Sequence, residues 1–178
     1  GIRGSYWHNF LALRISPVLI DTLMDKGYDF KILSSTALTF PEFRKTAFIR
    51  IPDSIEDTFA TDDMTERDKI ITDKLTSYIS SRRSGKSFFA FLFYNSSHQP
   101  YRYPGNFEKF RPVMKKEEIN YFLDITEETV SMMKNRYKNS LFYTDYLIGN
   151  VLASLKQHNL LKNTLVVITG DHGEEFHE

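Results

Sequence analysis

KSFFAFLFYNSSH, Lys86 to His98, is the stretch whose reading decides the fold class. Its centre, FFAFLFY (Phe88 to Tyr94), is the longest unbroken apolar run in the chain, and it stops abruptly at Asn95-Ser96-Ser97. A run that is apolar at every position, not every second one, is the pattern of a strand covered on both faces, as in a parallel sheet packed between helices. It is far too short for a membrane-crossing helix, which needs roughly 20 such residues.

Two other segments carry the same signature of an apolar run ending in polar residues. YDFKILSST (Tyr28 to Thr36) closes on Ser34-Ser35-Thr36, and NTLVVITGDH (Asn163 to His172) closes on Asp171-His172. Helical periodicity fills the intervals. Ser16-Pro17 is a helix start with proline in the first turn and Gly27 its stop, with Val18, Leu19, Ile20 and Leu23 facing the core. Asp62-Asp63 caps a helix from about 63 to 82, whose inward residues are Ile70, Ile71, Leu75, Tyr78 and Ile79. The longest helix spans 127 to 157. Val130, Met133, Tyr137, Leu141, Thr144, Ile148, Val151 and Leu155 recur in it at steps of three and four. The tyrosines at 137, 143 and 146 fit a packing face of that helix.

The resulting order of helix, strand, helix, strand, helix, strand predicts an α/β fold, a mostly parallel sheet covered by helices on both faces. Residues 99 to 116, with Pro100, Pro104 and Pro112, read as an irregular excursion. In such sheets ligands bind beyond the carboxyl ends of the strands. His98 and Asp171-His172 both fall there, so two loops distant in sequence are expected to converge.

Composition narrows the options. The chain has 178 residues, 41% hydrophobic and 15% aromatic, which suits one domain with a sizeable core. Its 23 basic and 23 acidic residues cancel, so nothing draws it to nucleic acid or to an anionic membrane. Cysteine is absent, which excludes disulfides and thiolate metal sites. GIRGSYWH carries no signal-peptide pattern, and a chain that opens without methionine is expected to be a piece of something longer.

Asp171 and His172 offer one oxygen and one nitrogen ligand to a borderline divalent ion such as zinc or manganese, and Gly173 would let the backbone turn after them. Alternatively, Asp-His-Gly is a polar turn closing a strand. His98 would donate to an anionic oxygen of a sulfate or phosphate ester, or else is simply held in a turn by Ser96 or Ser97. Asn95-Ser96-Ser97 also spells a glycosylation sequon, relevant only to a eukaryotic secretory protein. Gly85-Lys86-Ser87 is not a phosphate-binding loop, because Ser80 stands where the first glycine is required and a strand follows instead of a helix. Ser34-Ser35-Thr36 has no histidine near it in sequence and reads as an ordinary strand end.

From Arg136 to Glu174 the chain runs RYKNSLFYTDYLIGNVLASLKQHNLLKNTLVVITGDHGE. In this order and spacing Tyr143, Asp145, Gly149, Leu155, Asn163, Thr164, Asp171, His172 and Gly173 resemble the sulfatase and alkaline phosphatase superfamily. FFAFLFYNSSHQPYRYP is similar to that superfamily's strand and histidine-proline loop, with Gln99 between His98 and Pro100. Within it, GSYWHNFLALRISPVLIDTLMDKGYDFKILSS and DHGEEFHE look closest to the YejM (PbgA) type of bacterial inner-membrane protein, which has a periplasmic sulfatase-like domain.

The resemblance implies that residues 1–178 are the central part of one such domain. Asp171 and His172 would be metal ligands and His98 a substrate-binding residue. One or two divalent ions, zinc, manganese, calcium or magnesium, would serve as cofactor. The threonine or serine nucleophile would lie upstream of Gly1, leaving no catalytic residue in this segment. The implied substrate is a sulfate or phosphate ester, lipids among them, with hydrolysis or transfer as the outcome. Membrane attachment would come through segments outside this chain, at the periplasmic side of the inner membrane. The alternative implied by the same branch is a non-catalytic lipid-sensing or regulatory domain in outer-membrane lipid homeostasis. Glu174, Glu175, His177 and Glu178 receive no role.

Overall fold

The structure, a computed structural model, describes residues 9, 11–39, 42–82, 85–115 and 126–176. Two compact units make up the chain: Gly1–Ala60 with Ser81–Phe93, and Thr61–Ser80 with Tyr94–Glu178.

The first unit is built on a parallel sheet. Strand β1 (Asp29–Ser34) lies between β2 (Ile55–Glu56) and β3 (Phe88–Phe93), and both neighbours run parallel to it. Phe30 pairs with Phe89 and Ile32 with Phe91, so side chains alternate together across the two strands. On one face Ile32 meets Phe89, Phe91 and Phe93, and Phe48 packs on Phe91 with ring centroids 5.2 Å apart. The two-residue β2 escapes a sequence reading because it is too short to show a period. Among the described residues β3 is an edge strand and is half-buried throughout, whereas Ile32, Leu33 and Ser34 of the central β1 are fully buried. The run FFAFLFY is therefore a strand, as expected, but not one covered on both faces here.

Helix α1 (Val18–Asp25) ends in the six-to-one pattern that glycine permits. Tyr28 N–H donates to the Leu23 carbonyl at 3.0 Å, Gly27 N–H to Met24 at 2.9 Å, and Gly27 sits at φ +72°. Its start differs from expectation. Pro17 occupies the cap position with extended backbone, and the buried Ser16 hydroxyl caps nothing and has no partner among the described residues. A two-turn helix has room for one inward stripe, and Ile20 with Met24 takes it. Val18 and Leu19, two and one positions back from Ile20, point elsewhere and are 81% and 58% exposed.

Asp57 ties the loops of this unit together. Its carboxylate accepts Arg44 Nη2 at 2.6 Å and Nε at 3.0 Å, together with the Leu38 N–H at 2.8 Å. Burial pushes the Asp57 carboxyl up, but the Arg44 hydrogen bond, the Leu38 amide and the Arg44 charge together hold it below the ordinary range. A depressed folded-state value means that this stabilisation is present above the unfolded value of about 3.9 and is lost as pH falls through the lower folded value. Urea titrations between neutral pH and acid should therefore give a stability decline that Asp57→Asn flattens; equal slopes in the two proteins would contradict the assignment.

In the second unit, α2 (Met64–Ser81) starts at Asp63, whose Oδ1 accepts the Thr65 N–H at 2.8 Å and the Thr65 hydroxyl at 2.7 Å. The capping role expected of the Asp62-Asp63 pair falls to Asp63, while Asp62 pairs with Arg67 at 2.8 Å. The buried stripe of α2 is Asp68, Ile71, Thr72, Leu75 and Ile79. Helix α3 (Glu127–Gln157) has the expected bounds and opens with a reciprocal cap between Thr126 and Thr129. Its buried residues are Asn139, Ser140, Tyr143, Leu147 and Leu155. Leu141, expected inside, is 41% exposed.

The inward face of α3 is set by a polar partner, the excursion 99–115. Asn139 Oδ1 accepts the N–H groups of Lys109 and Phe110 at 2.9 and 2.8 Å, and its Nδ2 donates to the Phe110 carbonyl at 2.9 Å. Arg136 donates to the carbonyls of Pro100 (2.7 Å) and Met114 (3.1 Å). Of the three tyrosines, Tyr143 is buried and donates to the Thr65 carbonyl at 2.7 Å, Tyr137 is half-buried, and Tyr146 is 51% exposed.

The third expected strand is not formed. After a 3₁₀ turn at Leu161–Asn163, residues 164–170 have no strand pairing, and Leu165, Val167 and Ile168 are 89%, 75% and 63% exposed. Strand geometry requires a neighbour to satisfy the backbone, and this apolar run has none among the described residues. No helix among the described residues is long and apolar enough to cross a membrane.

Candidate functional site

His98 stands in a turn held by backbone groups. The N–H groups of Asn95 and Ser96 donate to the two carboxylate oxygens of Asp68 at 3.1 and 2.9 Å. The His98 N–H donates to the Asn95 carbonyl at 3.1 Å, and the Arg102 N–H to the Ser96 carbonyl at 2.8 Å. Among the described residues the turn is held through the Asp68 carboxylate and not through the Ser96 hydroxyl. The Ser96 hydroxyl is itself buried without a partner among the described residues. A buried unsatisfied hydroxyl costs about 1–3 kcal/mol. Ser96→Ala is accordingly expected to leave stability unchanged or raise it by up to about 1 kcal/mol, read as the denaturant midpoint; a clear loss would mean that the hydroxyl has a partner.

Tyr94, which opens the turn, shares a 3.0 Å hydrogen bond with Thr72. Burial raises its phenol pKa to about 12, with the Asp68 charge adding to the effect. The same two causes, burial first, push Tyr143 up. Both phenols therefore stay neutral and structural.

The imidazole of His98 is exposed, with Nδ1 3.0 Å from the Gln99 carbonyl oxygen. A carbonyl only accepts, so Nδ1 carries the proton and Nε2 is the free, basic nitrogen. His172 repeats the arrangement, its Nδ1 lying 2.6 Å from the Gly173 carbonyl. Its Nε2 sits 3.9 Å from Asp171 Oδ2, and the His172 N–H donates to Asp171 Oδ1 at 3.1 Å. One imidazole nitrogen beside one exposed carboxylate is a donor set that fits a divalent ion, with the carbonyl bond fixing the ring as the outer partners of metal-bound histidines do. Among the described residues no three His, Asp or Glu side chains gather at one point. Glu174 and Glu175 are exposed, and His177 and Glu178 lie outside the described residues.

The close backbone approach in this segment is at Gly170, where an added Cβ would lie 3.1 Å from the His172 carbonyl. Gly173, expected to provide the turn, has open space around it.

The Gly173 carbonyl bond, then the charges of Asp171 and Glu174, raise the His172 pKa above the ordinary value of about 6.5. A ligating imidazole must be neutral, so protons compete with metal from a higher pH than usual. Zinc titrations at about pH 8 and about pH 6 should show affinity falling across that interval, and less steeply in His172→Ala.

The two histidine-bearing segments are tied to one helix by three rings. Tyr101, buried and at φ +55°, lies 5.3 Å from Tyr137 of α3 and 6.0 Å from Phe176, and Phe176 is 5.5 Å from Tyr137. Tyr101 is three residues after His98 and Phe176 four after His172. Sequence reasoning overlooked Asp68, Arg136, Asn139, Tyr101 and Phe176, while Tyr137 was expected on a packing face of the long helix. The signal available for Asp68 and Asn139 was a polar residue set in the apolar stripe of an otherwise amphipathic helix.

Comparison with known proteins identifies the family. The profile of the family described as Sulfatase matches residues 13–178. Phosphoethanolamine transferase EptA of Escherichia coli (strain K12) is 35% identical over 77 residues, covering 43% of this chain and 13% of that protein. Arylsulfatase K of Canis lupus familiaris is 32% identical over 74 residues, 37% of this chain and 14% of its own length. Iduronate 2-sulfatase of Mus musculus is 24% identical over 124 residues, 52% and 22% respectively. The chain thus spans a minor part of the curated relatives that it matches. With the profile covering nearly its whole length, the chain belongs to the Sulfatase family.

Proposed function

We propose that residues 1–178 are the central part of a sulfatase-like domain that acts on sulfate or phosphate esters with the help of one or two divalent ions. The domain would stand on the periplasmic side of a bacterial inner-membrane protein of the YejM (PbgA) type. Asp171 and His172 hold the metal, His98 contacts a non-bridging oxygen of the ester, and the threonine or serine nucleophile comes from a segment before Gly1. The bound metal would lower the pKa of that hydroxyl and polarise the ester.

The chain's own residues do the rest. Nε2 of His98, once protonated, donates to the equatorial oxygen on which charge develops at sulfur or phosphorus. The nucleophile's oxygen bonds to that centre as the ester oxygen leaves with a proton. Transfer from the enzyme to water makes a hydrolase, and transfer to a lipid alcohol makes a transferase. EptA, whose name specifies phosphoethanolamine transfer, and the arylsulfatase relative span those two outcomes.

The observation that carries this is that Nδ1 of both His98 and His172 binds the next residue's carbonyl, which turns Nε2 of each ring toward ligand chemistry. The test uses the full-length protein with an aryl sulfate and a phosphodiester as substrates. Turnover should vanish on chelation and return with zinc, manganese, calcium or magnesium. Binding of phosphate without turnover under every metal would replace the enzyme by a regulatory, lipid-sensing domain.

A further inference from the structure

We propose that Asp68 is a positioning residue that presets the His98 turn for an anionic oxygen; this rests on His98 contacting the ester, as argued above. Asp68 lies on α2 and is fully buried. A buried carboxylate is costly unless its lone pairs are used. Here both oxygens are used by successive backbone amides, Asn95 at 3.1 Å and Ser96 at 2.9 Å. An asparagine there would have one acceptor oxygen for both amides instead of one for each, and no charge.

The consequence is geometric. Asn95 is gripped at its N–H by Asp68 and at its carbonyl by the His98 N–H. Ser96 is gripped at its N–H by Asp68 and at its carbonyl by the Arg102 N–H. The backbone leading into His98 is thus fixed from both sides, with no help from the Ser96 hydroxyl. The His98 ring is in turn held through Gln99. Asp68 touches neither substrate nor metal in this scheme. It acts through His98 by removing the freedom that anion binding would otherwise have to freeze out. The carboxylate's charge suits the task, since charged acceptors bind amides about twice as strongly as neutral ones.

The experiment follows carbethoxylation of His98 by diethyl pyrocarbonate, read by mass spectrometry on the full-length protein. Inorganic phosphate serves as the protecting probe, and thermal melts are run in parallel. In the parent protein phosphate should slow modification of His98. In Asp68→Asn the phosphate concentration for half-protection should rise about tenfold, the scale expected for an outer-shell partner. Should Asp68→Asn fail to melt cooperatively, Asp68→Glu decides, since it keeps two acceptors but displaces them by one methylene; its half-protection should also rise. Unchanged half-protection in a folded variant, with only a lower melting midpoint, makes Asp68 a purely structural residue and overturns the proposal. Absence of phosphate protection in the parent itself instead removes His98 as an anion contact, and the two failures are thereby distinct.

Discussion

Asp171→Ala in the full-length protein is expected to cut metal-dependent turnover at least about 100-fold, equivalent to ~2.7 kcal/mol of transition-state stabilisation. Asp171 is exposed, and its hydrogen bond is to the neighbouring His172 amide, so its loss leaves no buried group unpaired. The folded state should be little affected. What would change is the contribution of this segment to the proposed donor set, from an oxygen and a nitrogen to a nitrogen alone. Metal content by mass spectrometry should fall in parallel with rate, and the thermal midpoint should not. A variant that keeps both metal and turnover would remove Asp171 from the site. One that loses activity together with its fold would mean that the carboxylate has a structural partner.

Asn139→Leu is expected to have the largest effect on stability, about 3 kcal/mol or more. Leucine keeps the branched outline of asparagine, so no cavity forms. It leaves the amides of Lys109 and Phe110 and the Phe110 carbonyl without their buried partner, at about 1–3 kcal/mol for each group that water cannot reach. For a chain of this size the melting midpoint should drop by roughly 6–12 °C. Asn139→Asp keeps the two acceptor bonds and loses the donor, and should cost less. Hydrogen exchange at Lys109 and Phe110 should accelerate in Asn139→Leu before global unfolding. If the two variants melt alike, the double acceptance by Oδ1 is not what holds the excursion to α3.

Much of the first unit and both long helices could be read from the chain because their signals are local. An apolar run bounded by polar residues marks β1 and β3, and apolar residues at steps of three and four mark α3. Burial was harder. Leu141 falls on a plausible apolar stripe, yet the inward face is turned toward Asn139 because the excursion offers backbone amides and not side chains. Pairing is a property of two segments, so no local signal could reveal that 165–168 would lack a partner or that Ile55–Glu56 would find one. For the site, residue type marked His98, Asp171 and His172 as chemically able. What orients them, the Asp68 carboxylate and the Tyr101–Tyr137–Phe176 rings, comes from residues far apart in sequence and leaves only the faint trace of polarity in an apolar stripe.

The run Leu165–Thr169, unpaired among the described residues, has a consequence for how this chain behaves among copies of itself. Five consecutive residues without charge or proline, rich in β-branched side chains and open to solvent, make a template for intermolecular strand addition. The nearest gatekeeping charges, Lys162 before the run and Asp171 after it, flank the segment without interrupting it. Crowding of the 178-residue chain therefore favours self-association through this stretch, and a single lysine at Val167 would be the economical way to keep it in solution.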